Sequence, residues 1–264
     1  MSKFYRGMND VVFKTIFSKE SNRYLLKRLL RETLKLSDIE ILDVGIEELP
    51  KNIIKSKKRT VDLVIKSKGK IINVEINTYD DKTYHRRSFS YLANLYVNGL
   101  KEGQDYSSME EYIQINISTK EASISKDYDI YKVTGERYRQ EFIDNFKIYE
   151  FNTTNLKEKW YNEYRFIQLL DCDEAEIEKY QGDEEMEKLG EEIKRLNKNP
   201  EFVELMSEEE EYEKYINTEK ALEYKKGVNN EKKNIALMML DNNVDVKLIS
   251  KYTGLSIDEI NDLK

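Results

Sequence analysis

Apolar and polar positions alternate through residues 60–77, TVDLVIKSKGKIINVEIN, and such alternation marks a half-buried strand. Side chains on a strand point to opposite faces with a period of two. Val61, Leu63 and Ile65 therefore share one face, with Asp62, Val64 and Lys66 on the other; in the second run Ile72, Val74 and Ile76 oppose Asn73, Glu75 and Asn77. Between the runs, Gly69 is able to take the positive φ of a tight hairpin turn. With Lys68 and Gly69 as the turn, Ser67 pairs with Lys70, and counting outward sets Asp62 directly opposite Glu75. The two carboxylates then stand with Cβ atoms about 5 Å apart, a like-charge pair that something must offset.

Around this hairpin the spacing turns helical. NDVVFKTIF at residues 9–17 predicts a helix opening, capped by Asn9 or Asp10. Residues 22–36 carry Leu25, Leu26, Leu29, Leu30 and Leu34 on one face, with Ser21 as the cap. Residues 39–49 alternate loosely as a strand that stops at Pro50. After a polar break, residues 84–97 set Tyr84, Arg87 or Ser88, Tyr91, Leu92 and Leu95 along one helix face, with Arg86 and Arg87 in its first half and Gly99 and Gly103 loosening its far end. EYIQINI at residues 111–117 reads as another strand. The Tyr-rich segment beyond Asp127 reads as irregular until FKIYEF at residues 146–151, the last strand.

From Leu156 onward the pattern is helical and acidic, and a composition shift near Asp171 is the one boundary signal. These features predict an α/β domain over residues 1–155 and an acidic helical region over residues 156–264. Near the end, Asp245 is placed to cap a helix at 246–252, Gly254 makes a turn, and Ser256 with Glu259 has capping-box spacing for a helix at 257–263. Two short helices across a glycine turn resemble a helix-turn-helix. A hairpin packed on itself or on a second subunit is the other reading, because Asp258, Glu259 and Asp262 lie in the helix that would meet phosphates.

Composition narrows the chemistry. Among 264 residues, 39% are hydrophobic and 36% charged, which predicts a real core under a highly charged surface. One cysteine, Cys172, rules out an internal disulfide and a cysteine-rich zinc site; one histidine, His85, rules out histidine-pair metal motifs. No apolar run approaches a membrane span and the N-terminus lacks a signal-like segment, so no membrane association and a cytoplasmic location are expected. The net charge of −7 argues against coating nucleic acid by bulk attraction, yet Lys51, Lys55, Lys57, Lys58 and Arg59 cluster just before the hairpin. That basic rim is suited either to positioning phosphates or to plain solvation. Asp62 with Glu75 is likewise open to two readings, a hard divalent cation such as Mg²⁺ held by carboxylate oxygens or a wet polar face softened by lysines.

NDVVFKTIF at residues 9–17, VDLVI at 61–65, VEIN at 74–77, YHRRSFSYLANLYVNGLKEGQDY at 84–106 and EYIQINI at 111–117 together resemble the Rpn family of recombination-promoting nucleases or transposases, within the PD-(D/E)XK superfamily. LISKYTGLSIDEI at residues 248–260 is similar to that family's ending. The resemblance implies a restriction-endonuclease-like core, a mixed sheet between helices. It also implies Mg²⁺, with Mn²⁺ as substitute, bound by Asp62, Glu75 and the carbonyl of Ile76, and metal-dependent hydrolysis of DNA phosphodiesters in the service of recombination, transposition or defence.

Family members commonly carry Gln, and the superfamily motif Lys, where this chain has Asn77. An amide neither acts as a general base nor brings positive charge. The resemblance points to Arg87, Lys82, or Lys14 with Asp10 as the source of that charge; Arg86, Lys58 and Arg59 are the expected phosphate contacts. Two rivals stand beside the nuclease reading. One is a catalytically weakened or inactive descendant that binds DNA or protein, and the other is an oligomerisation protein whose C-terminal helices build a homodimer or larger homo-oligomer.

Overall fold

The alternating stretch forms the expected hairpin. Strands β2 (Leu63–Ser67) and β3 (Lys70–Asn77) pair antiparallel with Ser67 opposite Lys70 and Leu63 opposite Val74. Gly69 sits at φ +71° in the turn, a left-handed conformation that favours glycine. The computed structural model describes residues 3–45, 63–78, 83–99, 103, 105–119, 126–180 and 182–263. Asp62, Lys58, Arg59 and Lys82 lie outside the described residues.

Six described strands make one mixed sheet in the order β1-β2-β3-β4-β6-β5, with β1 (Ile41–Gly45), β4 (Glu111–Ser118), β5 (Tyr128–Lys132) and β6 (Phe146–Asn152). The centre is parallel, β3 beside β4 and β4 beside β6; β1 and β5 close the edges antiparallel. A parallel pair needs a crossover, and α3 (Tyr84–Asn98) supplies the one between β3 and β4. Val64, Ile71, Leu92, Tyr112 and Phe146 form the core on the α3 side. Leu63, Ile65, Ile72, Val74, Ile113, Ile115 and Ile117, all at most 2% exposed, alternate with that set and fill the opposite face. Gly99, just past α3, packs against the Tyr112 ring, whose hydroxyl occupies the space a side chain there would need.

One expectation changes here. The segment beyond Asp127 is not irregular throughout, since it contains β5, an edge strand with all five residues exposed. Exposed edges carry no apolar alternation, and pairing with β6 through the backbone is what makes the strand. The first strand is described only over Ile41–Gly45 of the expected 39–49, with a register irregularity between Ile41 and Asp43.

Helices α1 (Asp10–Phe17), α2 (Arg23–Leu34), α4 (Thr153–Glu158), α5 (Arg165–Leu170), α6 (Glu174–Ile177) and α7 (Glu184–Lys198) belong with the sheet to one compact unit, residues 1–199. Ser21 does not cap α2. It sits inside a 3-10 turn at Glu20–Asn22, and the side-chain amide of the capping residue Asn22 donates to the Ile16 carbonyl (3.0 Å), tying α1 to α2. The helix stops at Leu34 because Lys35 turns left-handed at φ 55°. Two of the acidic residues after Asp171 pair with α2: Arg28 meets Asp183 at 3.3 Å and Arg31 meets Glu185 at 2.7 Å.

Residues 200–264 form a second unit. Its first helix, α8 (Pro200–Asp241), runs for 42 residues, about 63 Å, and is followed by α9 (Val246–Thr253) and α10 (Ile257–Asn261). The caps are those the spacing predicts: Asp245 accepts from Lys247 N–H, Gly254 takes φ +70°, and Ser256 with Glu259 forms a capping box. Ala236, Ile249, Leu255 and Ile260 bury a small core shared by the three helices. No described helix is long and apolar enough to cross a membrane.

Candidate active site

The α3 face of the sheet changes character along its strands. At the starts of β3, β4 and β6 it is apolar, with Ile71, Tyr112 and Phe146; toward their ends it is polar. Parallel register brings Asn73 beside Gln114, sets Glu75, Asn116 and Glu150 in one row, and sets Asn77, Ser118 and Asn152 in the next. All eight are buried, none more than 5% exposed. The same two-residue period that gives the opposite face its isoleucines gives this one its amides and acids. Carboxyl ends of parallel strands are where ligands bind in open α/β sheets.

Helix α3 covers the polar rows with residues one turn apart. Ser88 Oγ donates to Asn116 Oδ1 at 3.0 Å and the Tyr84 hydroxyl lies 3.3 Å from Ser118 Oγ. Burial drives the Tyr84 hydroxyl far above the usual tyrosine range, so it stays protonated and serves as a hydrogen-bonding group, not a base. One turn on, Leu92 reaches the apolar end among Tyr112 and Phe146. Helix and strands thus match polar to polar and apolar to apolar along their length.

From this platform Arg87 reaches down. Its Nη2 donates to Asn77 Oδ1 at 2.9 Å and to Glu75 Oε1 at 3.4 Å. A guanidinium only donates, so the Asn77 atom facing it is the oxygen, and the amide N–H₂ is what Asn77 presents elsewhere. That nitrogen is buried without a hydrogen-bond partner among the described residues. Gln114 supports the carboxylate from beneath: Nε2 donates to Glu75 Oε2 at 3.4 Å and to Asn116 Oδ1 at 2.9 Å, while Oε1 accepts from Asn73 Nδ2 at 2.8 Å. The Glu75 side chain is 6% exposed and that of Arg87 38%, so solvent reaches the cation but barely the acid.

Of the residues expected from sequence, Glu75, Asn77 and Arg87 come together in contact, with Ile76 between the first two on β3. Asp10 and Lys14 form a pair of their own on α1 at 2.8 Å, and Asn9 is the residue that caps that helix. Arg86 lines a cavity on the β6 side of α3. Asp62, Lys82, Lys58 and Arg59 fall outside the described residues. No group of three or more His, Cys, Asp or Glu side chains gathers among the described residues. The donors at Glu75 and Ile76 are oxygens, which suits a hard cation such as Mg²⁺. Sequence reasoning missed Gln114, Asn116, Ser118, Glu150 and Asn152, although the alternation in EYIQINIS already put Gln114, Asn116 and Ser118 on one face.

A mixed sheet with a parallel centre, helices around it and a buried glutamate at its carboxyl end is the arrangement of the restriction-endonuclease-like α/β proteins. The chain belongs to the PD-(D/E)XK nuclease family of transposases, whose family model matches residues 7–246. Residues 229–264 also match the C-terminal helix-turn-helix domain of the Rpn/YhgA-like nuclease family. No curated protein and no solved structure matches the chain.

Proposed function

We propose that this protein is a Mg²⁺-dependent DNA endonuclease that hydrolyses phosphodiester bonds, acting in recombination, transposition or defence. The observation that carries the reading is Arg87 bonded to both Glu75 and Asn77 at the carboxyl ends of the parallel strands. Asp62, Glu75 and the Ile76 carbonyl hold the cation, which supplies Lewis acidity toward the phosphate oxygens. Arg87 brings the positive charge that Asn77 lacks, and its guanidinium fork is suited to a phosphate oxygen that gains charge in the transition state. Asn77, with its oxygen turned to Arg87, offers its N–H₂ as a second donor. Gln114 fixes the Glu75 carboxylate against rotation.

Supercoiled plasmid incubated with the full chain tests this. Nicking should require Mg²⁺ or Mn²⁺, stop on chelation, and vanish in both Glu75→Ala and Asp62→Ala. Nicking that survives those two substitutions refutes the site. Plasmid bound but never cut by the wild-type chain favours the catalytically weakened reading, which Asn77 motivates.

A further inference from the structure

A cavity of about 430 Å³ opens between α3 and strands β4, β5 and β6, within the roughly 300–1,000 Å³ range of small-ligand pockets. Glu150 and Asn116, 1% and 3% exposed, contribute its most buried polar groups. The rings of Phe89 and Tyr131, 52% and 38% exposed, line it as well. His85 also lines it, and its Nε2 is buried with no hydrogen-bond partner among the described residues. Buried polar atoms without partners are rare, and each calls for an explanation. Asn116 stands directly beside Glu75 in the β3/β4 register, so the cavity begins about 5 Å, one strand spacing, from the proposed cation site.

We propose that this cavity receives one unstacked base of the DNA substrate, a guanine, beside the phosphate to be cut. The proposal rests on the nuclease reading and names what that site selects. Enzymes that take a base out of the stack hold it between aromatic or apolar side chains and read its Watson–Crick edge by hydrogen bonds. Phe89 and Tyr131 supply the stacking surfaces. Glu150 contributes its carboxyl group to the cavity lining, and the two oxygens of a carboxyl group can face a pair of adjacent N–H groups. Asn116 Oδ1 already accepts from Gln114 and Ser88, so its N–H₂ is the group it offers. A carboxyl group beside one amide donor complements guanine, whose Watson–Crick edge carries two adjacent N–H donors next to the O6 acceptor. Adenine, cytosine and thymine each present a single donor group there. Arg86 adds a cation for the adjoining backbone.

The test is binding, not cleavage. Fluorescence anisotropy is measured on the full chain in EDTA with thymine-rich single strands carrying one central guanine, hypoxanthine or adenine. Hypoxanthine differs from guanine only by the missing 2-amino group. The guanine strand should bind about 10-fold tighter than the hypoxanthine strand, in keeping with the discrimination a bidentate contact gives. Glu150→Gln should erase that difference. Phe89→Ala, at a ring 52% exposed that also touches Phe146, should weaken every strand by about 5-fold or more through lost stacking, with an unchanged melting temperature confirming that the fold is kept. Equal binding of the guanine and hypoxanthine strands by the wild-type chain, a preference that persists in Glu150→Gln, or binding indifferent to Phe89→Ala overturns the proposal. Glu75-dependent nicking without guanine preference would remove this pocket and leave the nuclease; guanine preference without nicking would do the reverse.

Discussion

Glu32 offers a quantitative test of how the frame under the site is held. It lies on α2 with its side chain 5% exposed and accepts the backbone N–H groups of Ile167 (3.0 Å) and Phe166 (3.2 Å) in the first turn of α5. Burial pushes its pKa up from 4.5 to about 7, outweighing the opposing pull of those two N–H groups and of Arg28. Between those two values the folded protein holds a proton that the unfolded chain has released. The free energy of unfolding therefore falls as pH rises from about 4.5 to about 7 and is flat above. A shift of this size is worth about 3 kcal/mol.

Glu32→Gln keeps the shape and one acceptor oxygen and never ionises. Its lost acceptor costs about 1 kcal/mol at every pH. The stability of the variant minus that of the wild type should thus climb by about 3 kcal/mol between pH 4.5 and pH 8. Carboxylates whose pKa is lowered, such as Glu111, Glu176 and Glu192, tilt both curves alike and cancel in the difference. Urea unfolding at a series of pH values measures it. Parallel curves for the two proteins across that range would refute the reasoning. The consequence reaches the site because α5 runs into Asp171, which accepts from Thr153 Oγ1 at 3.4 Å just past β6, and Thr153 in turn donates to the Ser118 carbonyl at the end of β4.

Two further outcomes follow from geometry. Arg87→Met should reduce plasmid nicking by about 100-fold or more, the scale of losing one preorganised donor to transition-state charge, while the melting temperature moves little because the side chain is 38% exposed; an unchanged nicking rate would show that Arg87 only props up the helix. Gly69→Ala meets no atom within 4 Å but must hold φ +71°, so urea unfolding should show a loss of about 1–2 kcal/mol from backbone strain alone; no loss would mean that the turn relaxes to another type.

Much of the site was legible because its signals are local. The hairpin register follows from alternation plus one glycine, and the structure pairs Ser67 with Lys70 as that counting requires. The caps of α9 and α10 follow from Asp245, Gly254, Ser256 and Glu259, each acting within four residues of its own position. Family membership was legible in the joint order of short motifs, none of them specific alone. Strand β5 was not legible, since an exposed edge has no burial pattern to betray it. Nor was the place of Glu150: it enters the row with Glu75 only because β6 lies parallel to β4, and β4 to β3, across long stretches of intervening chain.

Residue order alone thus specified the faces of β2, β3 and β4, the tight turn and the ends of α9 and α10. Long-range pairing decided which of those faces meet. A period of two tells that Asn77 and Glu75 share a side, but only the packing of Leu92 among Tyr112 and Phe146 places α3 so that Arg87 reaches both of them. Local conformation is set by neighbours within a few residues, whereas register between distant strands and the docking of a helix are set by burial and backbone hydrogen bonding summed over the whole sheet.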